Sequence, residues 1–212
     1  MMSVCWCVGA GDFYADAFAP RPGDLVIAAD GGAAYLARIG ARADLMLGDF
    51  DSLGAVPAGE NVRRFPPEKD DTDMILAVKE GLSRGYARFA LLGGLGGRLS
   101  HTLANIQTLV WLSRRDARGV LSGEGECVTA VTDGELTFGA FHSGYVSVFC
   151  LGEPAEGVTL EGLKYPLKNA RLECSVPLGV SNEFLGRPSR VRVEKGSLVV
   201  VWAGGFDEIL RG

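Results

Sequence analysis

The sequence predicts an α/β protein in two parts, an N-terminal α/β domain with a mostly parallel sheet followed by a C-terminal antiparallel β-sandwich domain. In the first half, apolar strand-like runs alternate with helical patterns, which is typical of βαβ units. In the second half, strand-like runs follow one another with turn signals and no convincing helix, which is typical of a sandwich or barrel. We therefore expect one domain over residues 1–118 and a second over residues 119–212.

The first half divides into strands that each end in a polar or glycine-rich turn. Apolar runs predict strands at 3–8, 24–29, 45–47 and 89–92, and helices are predicted at 33–39, 71–84 and 101–112. Gly40 and Gly85 follow the first two helices as natural C-caps. Ligands of parallel sheets bind outside the carboxyl ends of the strands, so we expect these turns to meet in one site.

The second half is predicted to consist of short antiparallel strands. Residues 126–138 indicate a hairpin with Asp133-Gly134 as its turn, and residues 190–202 indicate another that turns at 194–196. Further strands are expected at 145–151, 158–160 and 170–174. The segment 180–184 is interpreted as a loop.

Composition limits the class of partner. The chain has 212 residues, of which 47% are hydrophobic and 22% charged, so we expect an ordered core. The net charge of −5 gives no general attraction for nucleic acid or for an anionic membrane, and we expect neither as a partner. No apolar run reaches the roughly 18 residues of a membrane helix, and residues 1–9 resemble a first strand more than a signal peptide.

Cysteine usage favours a reducing compartment. The number of cysteines is odd, no CxxC pair is present, and most lie in strand-like apolar stretches: Cys5, Cys7, Cys127, Cys150 and Cys174. We interpret them as buried free thiols and predict a cytoplasmic protein.

Two acidic segments are candidate metal sites. Asp49 and Asp51 follow the third strand, and alternate residues of an extended segment face the same side. Asp73 lies in the first turn of the second predicted helix and offers a third carboxylate. Hard oxygen ligands of this kind suit Mg²⁺ bridging substrate phosphates. The alternative is that the first pair forms a polar turn and that the segment with Thr72 only caps a helix.

A glycine-rich loop is a candidate phosphate cradle. Residues 93–97 contain four glycines between a strand and a helix, and Arg98 and His101 follow. Glycines allow backbone amides to approach phosphate oxygens, and an arginine can clamp a phosphate with two bonds. The loop lacks the Gly-Lys-Ser/Thr of a Walker A motif, and a simple strand–helix connection is the alternative.

Two further turns are weaker candidates. Asp30 and Gly31 end the second strand, where they indicate either a carboxylate facing a nucleotide or a turn with positive φ at Gly31 or Gly32. Ser181 and Asn182 offer a hydroxyl and an amide, which suit either turn chemistry or the polar edge of a heterocycle. Together, acidic and glycine-rich turns on one sheet edge favour a polyphosphate and metal site.

The chain resembles the thiamine pyrophosphokinase family. The matching stretches are ADGG (29–32), DLMLGDFDSL (44–53), KDDTDMILA (69–77), LLGGLGGRLSHTLANI (91–106), GLKYPL (162–167) and VSNEF (180–184). They stand in the family's order and spacing and span most of the chain. The resemblance implies a magnesium-dependent transferase that moves pyrophosphate from ATP to the thiamine hydroxyl and releases AMP, working as a homodimer.

The resemblance also implies roles for individual residues. It places Mg²⁺ on Asp49, Asp51 and Asp73, and it makes these carboxylates and Arg98 the catalytic group. It implies an ATP site formed by Asp30, Gly31, Thr72, Gly94, Gly96, Gly97, Arg98 and His101. It implies a thiamine site at Ser181 and Asn182.

One departure concerns the block that usually reads GGRFDH in the family. Here the same positions read Gly96-Gly97-Arg98-Leu99-Ser100-His101, so a carboxylate beside Arg98 is missing. Asp71 is a candidate to compensate, and it is also, with His101, a candidate general base that sequence alone does not decide. A different magnesium-dependent phosphoryl or nucleotidyl transferase, or a thiamine or nucleotide sensor without catalysis, are the alternatives.

Overall fold

The computed structural model describes residues 2–49, 61–66 and 70–212, which form two compact units. The first unit is built from the described residues up to Asn105, together with Leu121–Glu124 and Arg211. The second is built from Ile106–Val120, Gly125–Leu210 and Gly212. Each unit has its own arrangement of strands.

The first unit contains a parallel sheet. Its strands are β1 (Cys5–Val8), β2 (Leu25–Ala29), β3 (Leu45–Gly48), β4 (Val62–Arg64) and β5 (Arg88–Leu92), in the order β5-β1-β2-β3-β4. All four neighbouring pairs run parallel. Strands β1 and β2 are buried at every residue, as expected for a parallel sheet covered on both faces. The predicted mostly parallel sheet is confirmed.

Helices follow the strands as the alternating pattern predicted. They are α1 (Gly32–Arg38), α2 (Asp73–Ser83) and α3 (Leu99–Ser113). The buried residues of α2 include Met74, Ala77, Val78 and Gly81, which recur every three or four positions and form one apolar face. Thr72 caps this helix, because its hydroxyl accepts a hydrogen bond from the amide of Ile75 at 3.4 Å.

The second unit contains two antiparallel sheets. Along the chain lie β6 (Arg118–Ser122), β7 (Glu126–Thr132), β8 (Glu135–Phe138), β9 (Tyr145–Cys150), β10 (Ala155–Glu161), β11 (Leu167–Leu172), β12 (Gly179–Glu183), β13 (Ser189–Arg192) and β14 (Ser197–Ala203), before α4 (Asp207–Arg211). One sheet contains the run β12-β9-β14-β7, and the other has the order β11-β10-β13-β8. Phe138 of β8 and Trp202 of β14 meet edge to face at 5.5 Å, which joins the two sheets in one core. The fold class predicted for this half is confirmed.

The two hairpins predicted in this half are wrong. Strands β7 and β8 are separated by only two residues, yet β7 pairs with β14 and β8 pairs with β13, in different sheets. The turn between β13 and β14 crosses between the sheets in the same way. The two turns bond to each other, since the amide of Gly196 donates to the Asp133 carboxylate at 2.8 Å and the amide of Val193 donates to the carbonyl of Gly134 at 2.9 Å. The turn residues were recognised correctly, but they carry no information on which sheet the next strand joins.

Several elements were not predicted. Residues 180–184 lie largely in β12, which is held as a strand by antiparallel pairing with β9 and not by its own β propensity. Strands β4 and β6 and the short helix α4 were also missed. In the part of the chain that the structure describes, no helix has both the length and the apolar character needed to span a bilayer.

Candidate active site

A cavity of about 320 Å³ opens at the carboxyl ends of the parallel strands in the first unit. It is bordered by the turns after β1, β2 and β5 and by the N-terminal ends of α2 and α3. The lining residues are Gly9, Ala10, Gly11, Ala29, Asp30, Thr72, Asp73, Met74, Gly93, Gly94, Gly96, Gly97, Arg98, His101 and Asn105. This is the position at which ligands of open α/β sheets bind.

Two glycine-containing turns form one side of the cavity through direct backbone contact. The amide of Gly9 donates to the carbonyl of Leu92, and the amide of Gly11 donates to the carbonyl of Gly93, both at 2.8 Å. Gly93 has a φ of +62°, and a Cβ atom there would lie 2.4 Å from the carbonyl oxygen of Gly9. A side chain at Gly93 would therefore separate the two turns. The turn after β1 thus contributes directly to the cavity.

Asp30 stands at the end of β2 in a backbone conformation that few residues adopt. Its φ is +47°, while Gly31 has a φ of −60°, so the positive φ expected at Gly31 or Gly32 falls on the aspartate instead. The amide of Asp30 donates to the carbonyl of Leu47 at 2.8 Å, which fixes the residue against β3. Asp30 lines the cavity, whereas Gly31 is the capping residue immediately before α1 and is not among the described residues that line it.

The N-terminal end of α2 presents Thr72 and Asp73 to the cavity. Thr72 acts as the helix cap, so its hydroxyl oxygen is already engaged. Asp73 is the first helical residue, where a carboxylate is favoured by the helix dipole. Asp71 is ion-paired with Lys79, whose Nζ lies 2.7 and 2.8 Å from its two carboxylate oxygens. This pairing reduces the case for Asp71 as a general base.

Helix α3 and the residue before it contribute three lining residues, two of them predicted. Arg98, just before the helix, and His101, in its first turn, are exposed and border the cavity. Asn105 was missed, although it lies in the HTLAN stretch. It is 6% exposed, and its amide nitrogen donates to the carbonyl of Gly94 at 2.7 Å. This buried hydrogen bond fixes the position of the glycine loop against α3.

The structure describes two of the three predicted metal ligands, Asp49 and Asp73. Asp73 lines the cavity and Asp49 directly follows β3, the strand beside the one that ends at Asp30, while Asp51 lies outside the described residues. No group of three metal-ligating side chains is found within 2–49, 61–66 and 70–212. The donor chemistry fits magnesium, because the available groups are carboxylates from neighbouring turns. The ligand set of three therefore stays a prediction.

In the second unit, Asn182 of β12 uses both ends of its amide within the protein. Its oxygen accepts from the amides of Tyr165 and Glu183, each at 2.9 Å, and its nitrogen donates to the carbonyl of Tyr165 at 2.7 Å. The side chain is 3% exposed. Asn182 therefore clamps the backbone of Tyr165, a residue that is 57% exposed, and its predicted contact with a heterocycle stays a prediction.

Ser181, by contrast, is exposed on β12. Its backbone amide donates to the hydroxyl of Ser147 on β9 at 3.1 Å, and its φ is +59°. The register between β12 and β9 shifts between Gly179 and Asn182, so Ser181 lies at an irregularity of the ladder. Such an irregularity redirects a side chain, and it leaves the Ser181 hydroxyl on the protein surface.

Two family models match the chain, one in each half. The model described as "Thiamin pyrophosphokinase, catalytic domain" matches residues 21–121. The model described as "Thiamin pyrophosphokinase, vitamin B1 binding domain" matches residues 135–199. The two belong to one family, and together they cover well over half of the chain.

Individual relatives give the same result. Thiamine pyrophosphokinase of Bacillus subtilis is 29% identical over 164 residues, covering 73% of this chain and 75% of the relative. Its crystal structure superimposes with a TM-score of 0.81 at 26% identity, covering 94% of this chain and 98% of that one. The thiamin pyrophosphokinase structure from Geobacillus thermodenitrificans gives a TM-score of 0.79 at 25% identity, with coverage of 95% and 97%.

Proposed function

Since the chain belongs to the thiamin pyrophosphokinase family, we propose that it transfers the pyrophosphate group of ATP to the hydroxyl of thiamine, giving thiamine pyrophosphate and AMP. The observation that carries this proposal is the cavity at the strand ends, where backbone turns, carboxylates and Arg98 border one space. A triphosphate needs this combination of amide donors, cationic charge and metal-binding oxygens. Thiamine, named in both matching models, is the acceptor.

ATP is proposed to bind with its phosphates along the two glycine turns. Gly94, Gly96 and Gly97 leave their side of the cavity without side chains, so backbone amides can approach phosphate oxygens closely. Arg98 is exposed at the cavity edge, where its planar guanidinium suits two bonds to one phosphate. His101 and Thr72 border the same cavity. Gly31 is proposed to assist ATP binding only by shaping the turn that holds Asp30.

Magnesium is proposed to bind Asp49, Asp51 and Asp73, beside Asp30. When bound, the ion neutralises phosphate charge and stabilises the charge that develops during transfer. The protein's part would be to hold carboxylate oxygens after β3 and at the N-terminal end of α2. Asp30 and Asp73 line the same cavity, which supports this assignment.

In the reaction, the thiamine hydroxyl oxygen bonds to the β-phosphorus of ATP as the bond from that phosphorus to the bridging oxygen breaks. AMP leaves with the bridging oxygen, and the hydroxyl loses its proton. This chemistry depends mostly on positioning and charge neutralisation. Arg98 and the loop amides share the charge of the transferred group. The ion pair of Asp71 with Lys79 leaves the base unassigned.

Thiamine is proposed to bind at the second unit, whose matching model is named for vitamin B1. Ser181 is the exposed polar side chain of β12 and can bond to the pyrimidine. Tyr165 presents an exposed ring, and aromatic faces attract cationic heterocycles such as the thiazolium of thiamine. Asn182, which the resemblance places in the thiamine site, positions Tyr165 through its two bonds to that residue's backbone.

We also propose that the protein is a homodimer in the cytoplasm. The second unit exposes several large apolar side chains, among them Phe141, Tyr145, Leu178 and Leu185. Exposed apolar surface of this kind favours association. Light scattering coupled to gel filtration tests this proposal, and we expect a measured mass of twice that of one chain.

The reaction is tested by incubating the protein with ATP and Mg²⁺, with and without thiamine, and measuring both AMP and thiamine pyrophosphate. We expect equal amounts of the two products, formed only when thiamine is present. AMP formed with another acceptor and not with thiamine would point to a different transferase. Tight thiamine binding without AMP would point to a sensor, and Ser100→Asp would then test whether the missing carboxylate is responsible.

A further inference from the structure

Two cysteines distant in sequence meet in the second unit. Cys150 ends β9, Cys174 lies in the turn after β11, and their sulfur atoms are 2.8 Å apart. A disulfide bond is about 2.05 Å long, so closure needs a sulfur displacement of less than one ångström. The Cys174 sulfur also lies 2.8 Å from the carbonyl oxygen of Gly152, to which it donates.

The two thiols differ in accessibility. Cys150 is buried, whereas Cys174 is exposed, so the sequence-based expectation of buried thiols is wrong for Cys174. Burial, and then the hydrogen bond that the Cys150 thiol makes to the Cys174 sulfur, raise the pKa of Cys150 to about 11. An exposed attacking thiol beside a buried partner is the arrangement found in dithiols that react stepwise with an oxidant.

The other described cysteines do not share this arrangement. Cys5 and Cys7 lie 3.8 Å apart, but both are fully buried and are neighbours on one short strand. Cys127 is also buried and donates to the carbonyl of Gly204 at 3.2 Å. Only the pair at β9 combines solvent access with a second sulfur in contact.

We propose that Cys150 and Cys174 form a reversible intramolecular disulfide when the protein meets a low-molecular-weight disulfide oxidant. This modification site is independent of the proposed enzymatic function. In a reducing compartment the dithiol is the resting form, and the disulfide forms as the thiol pool becomes oxidised.

The chemistry proceeds in two exchange steps. The Cys174 thiolate bonds to one sulfur of the oxidant, breaking its S–S bond and releasing one thiolate, which takes up a proton. Cys150 then loses its proton and bonds to the Cys174 sulfur, releasing the second thiol. In sum, two protein thiols become a disulfide and the oxidant is reduced to two thiols.

The disulfide would restrict the segment that leads into β12. Cys174 precedes β12 by five residues, and Cys150 belongs to β9, the strand that pairs with β12. The intervening residues 175–178 are exposed and belong to no strand. Oxidation therefore anchors the start of this segment to β9 and reduces its freedom.

The experiment treats the folded full-length chain with oxidised glutathione and analyses it by intact mass and non-reducing peptide mapping. We expect a mass lower by two hydrogen atoms, a cross-linked peptide joining Cys150 to Cys174, and full reversal by dithiothreitol. Hydrogen exchange in residues 175–178 should slow in the oxidised form. Cys174→Ser, at an exposed position, should abolish the mass change, while Cys127→Ser should leave it intact.

Three results would overturn the proposal. These are a folded protein that keeps both thiols under oxidised glutathione, a glutathione adduct on Cys174 that never closes, and a disulfide between two chains. The same treatment in denaturant is the control for folding. There we expect mixed pairings, because the selective 150–174 link depends on the native contact.

Discussion

Asn182 shows how one buried side chain can hold the backbone of an exposed aromatic residue. From sequence its amide suited either turn chemistry or the polar edge of a heterocycle, and the resemblance implied the thiamine site. The structure uses the donor and the acceptor of the amide to hold the backbone of Tyr165. The partner of Asn182 was not predictable, because Tyr165 is 17 residues distant and meets Asn182 only in the folded sheet.

Asn182→Asp tests this positioning role. The change keeps the accepting oxygen but removes the donor to the Tyr165 carbonyl, so we expect the Tyr165 segment to shift. Steady-state kinetics should give a KM for thiamine raised by roughly tenfold or more, with the KM for ATP unchanged. Thr159→Ala is the matched control, since it also removes a side-chain bond to a strand amide, that of Asn169. A thiamine KM that rises equally in both variants would contradict the role.

Asp24 is a second residue whose surroundings determine its chemistry. Burial favours the neutral form of its carboxyl, but hydrogen bonds from Arg211, Trp6 and the amides of Val4 and Arg21 outweigh burial and lower its pKa to about 2. Arg211 and Asp24 are 7% and 1% exposed. A charge buried in this way stabilises the fold only while both partners are ionised.

The depressed pKa of Asp24 predicts a loss of stability in acid. The unfolded chain takes up a proton near pH 3.8 and the folded protein only near pH 2, so protonation favours unfolding across this window. The contribution is fully present above about pH 4 and falls by about 2 kcal/mol as the pH approaches 2. Urea unfolding of the wild type and Asp24→Asn at pH 7 and at pH 3 measures it.

In that comparison, Asp24→Asn should lower the free energy of unfolding by about 3 to 5 kcal/mol at pH 7, because it leaves the Arg211 guanidinium buried without its counter-charge. The difference between variant and wild type should shrink at pH 3. A difference that stays constant with pH would show that the stabilisation is not ionic.

Among the secondary-structure elements, the strand–turn–helix units were the most predictable. Apolar runs and helix caps determine them locally, so β1, β2, β5, α2 and α3 were all expected close to their observed bounds. Strand β4 was not, because Val62–Arg64 carries two arginines and is a strand only through its pairing with β3. The sheet crossings at Asp133 and Gly196 were missed for the same reason, since partner choice is decided by tertiary contacts.

The glycine turns after β1 and β5 are elements that need their glycines for close approach. Gly93→Ala should destabilise the protein by on the order of 3 kcal/mol or more, since it combines a positive φ with overlap on the Gly9 carbonyl. The separated turns should also raise the KM for ATP. Thermal unfolding and kinetics measure both effects.

Gly85→Ala provides the matched control for that substitution. Gly85 also has a positive φ, of +86°, but a Cβ atom there meets nothing within 4 Å. We expect Gly85→Ala to lower the free energy of unfolding by only about 1 to 2 kcal/mol and to leave the KM for ATP unchanged. Equal costs for the two variants would mean that the contact between the turns is unimportant.

At the scale of the whole molecule, an acidic chain carries a site for an anionic substrate. The net charge of −5 repels ATP at a distance, so local features must provide the attraction. The cavity offers Arg98, a run of glycines and carboxylates suited to a divalent cation. Sequence order located these turns on one sheet edge, but Asn105, in the second turn of α3, was recognised as part of the site only in the folded structure.

If this cavity is the catalytic centre, turnover needs the carboxylate of Asp73, and Asp73→Asn removes it. Asp70→Asn is the control, since it removes the same charge from an exposed position three residues earlier, outside the residues that line the cavity. The measurement is kcat for thiamine-dependent AMP formation across a Mg²⁺ titration, with circular dichroism to verify folding. We predict that Asp73→Asn loses at least about a hundredfold in kcat and requires more Mg²⁺, while Asp70→Asn stays near wild type. A folded Asp73→Asn with normal kcat and unchanged Mg²⁺ dependence would show that this cavity is not the catalytic centre.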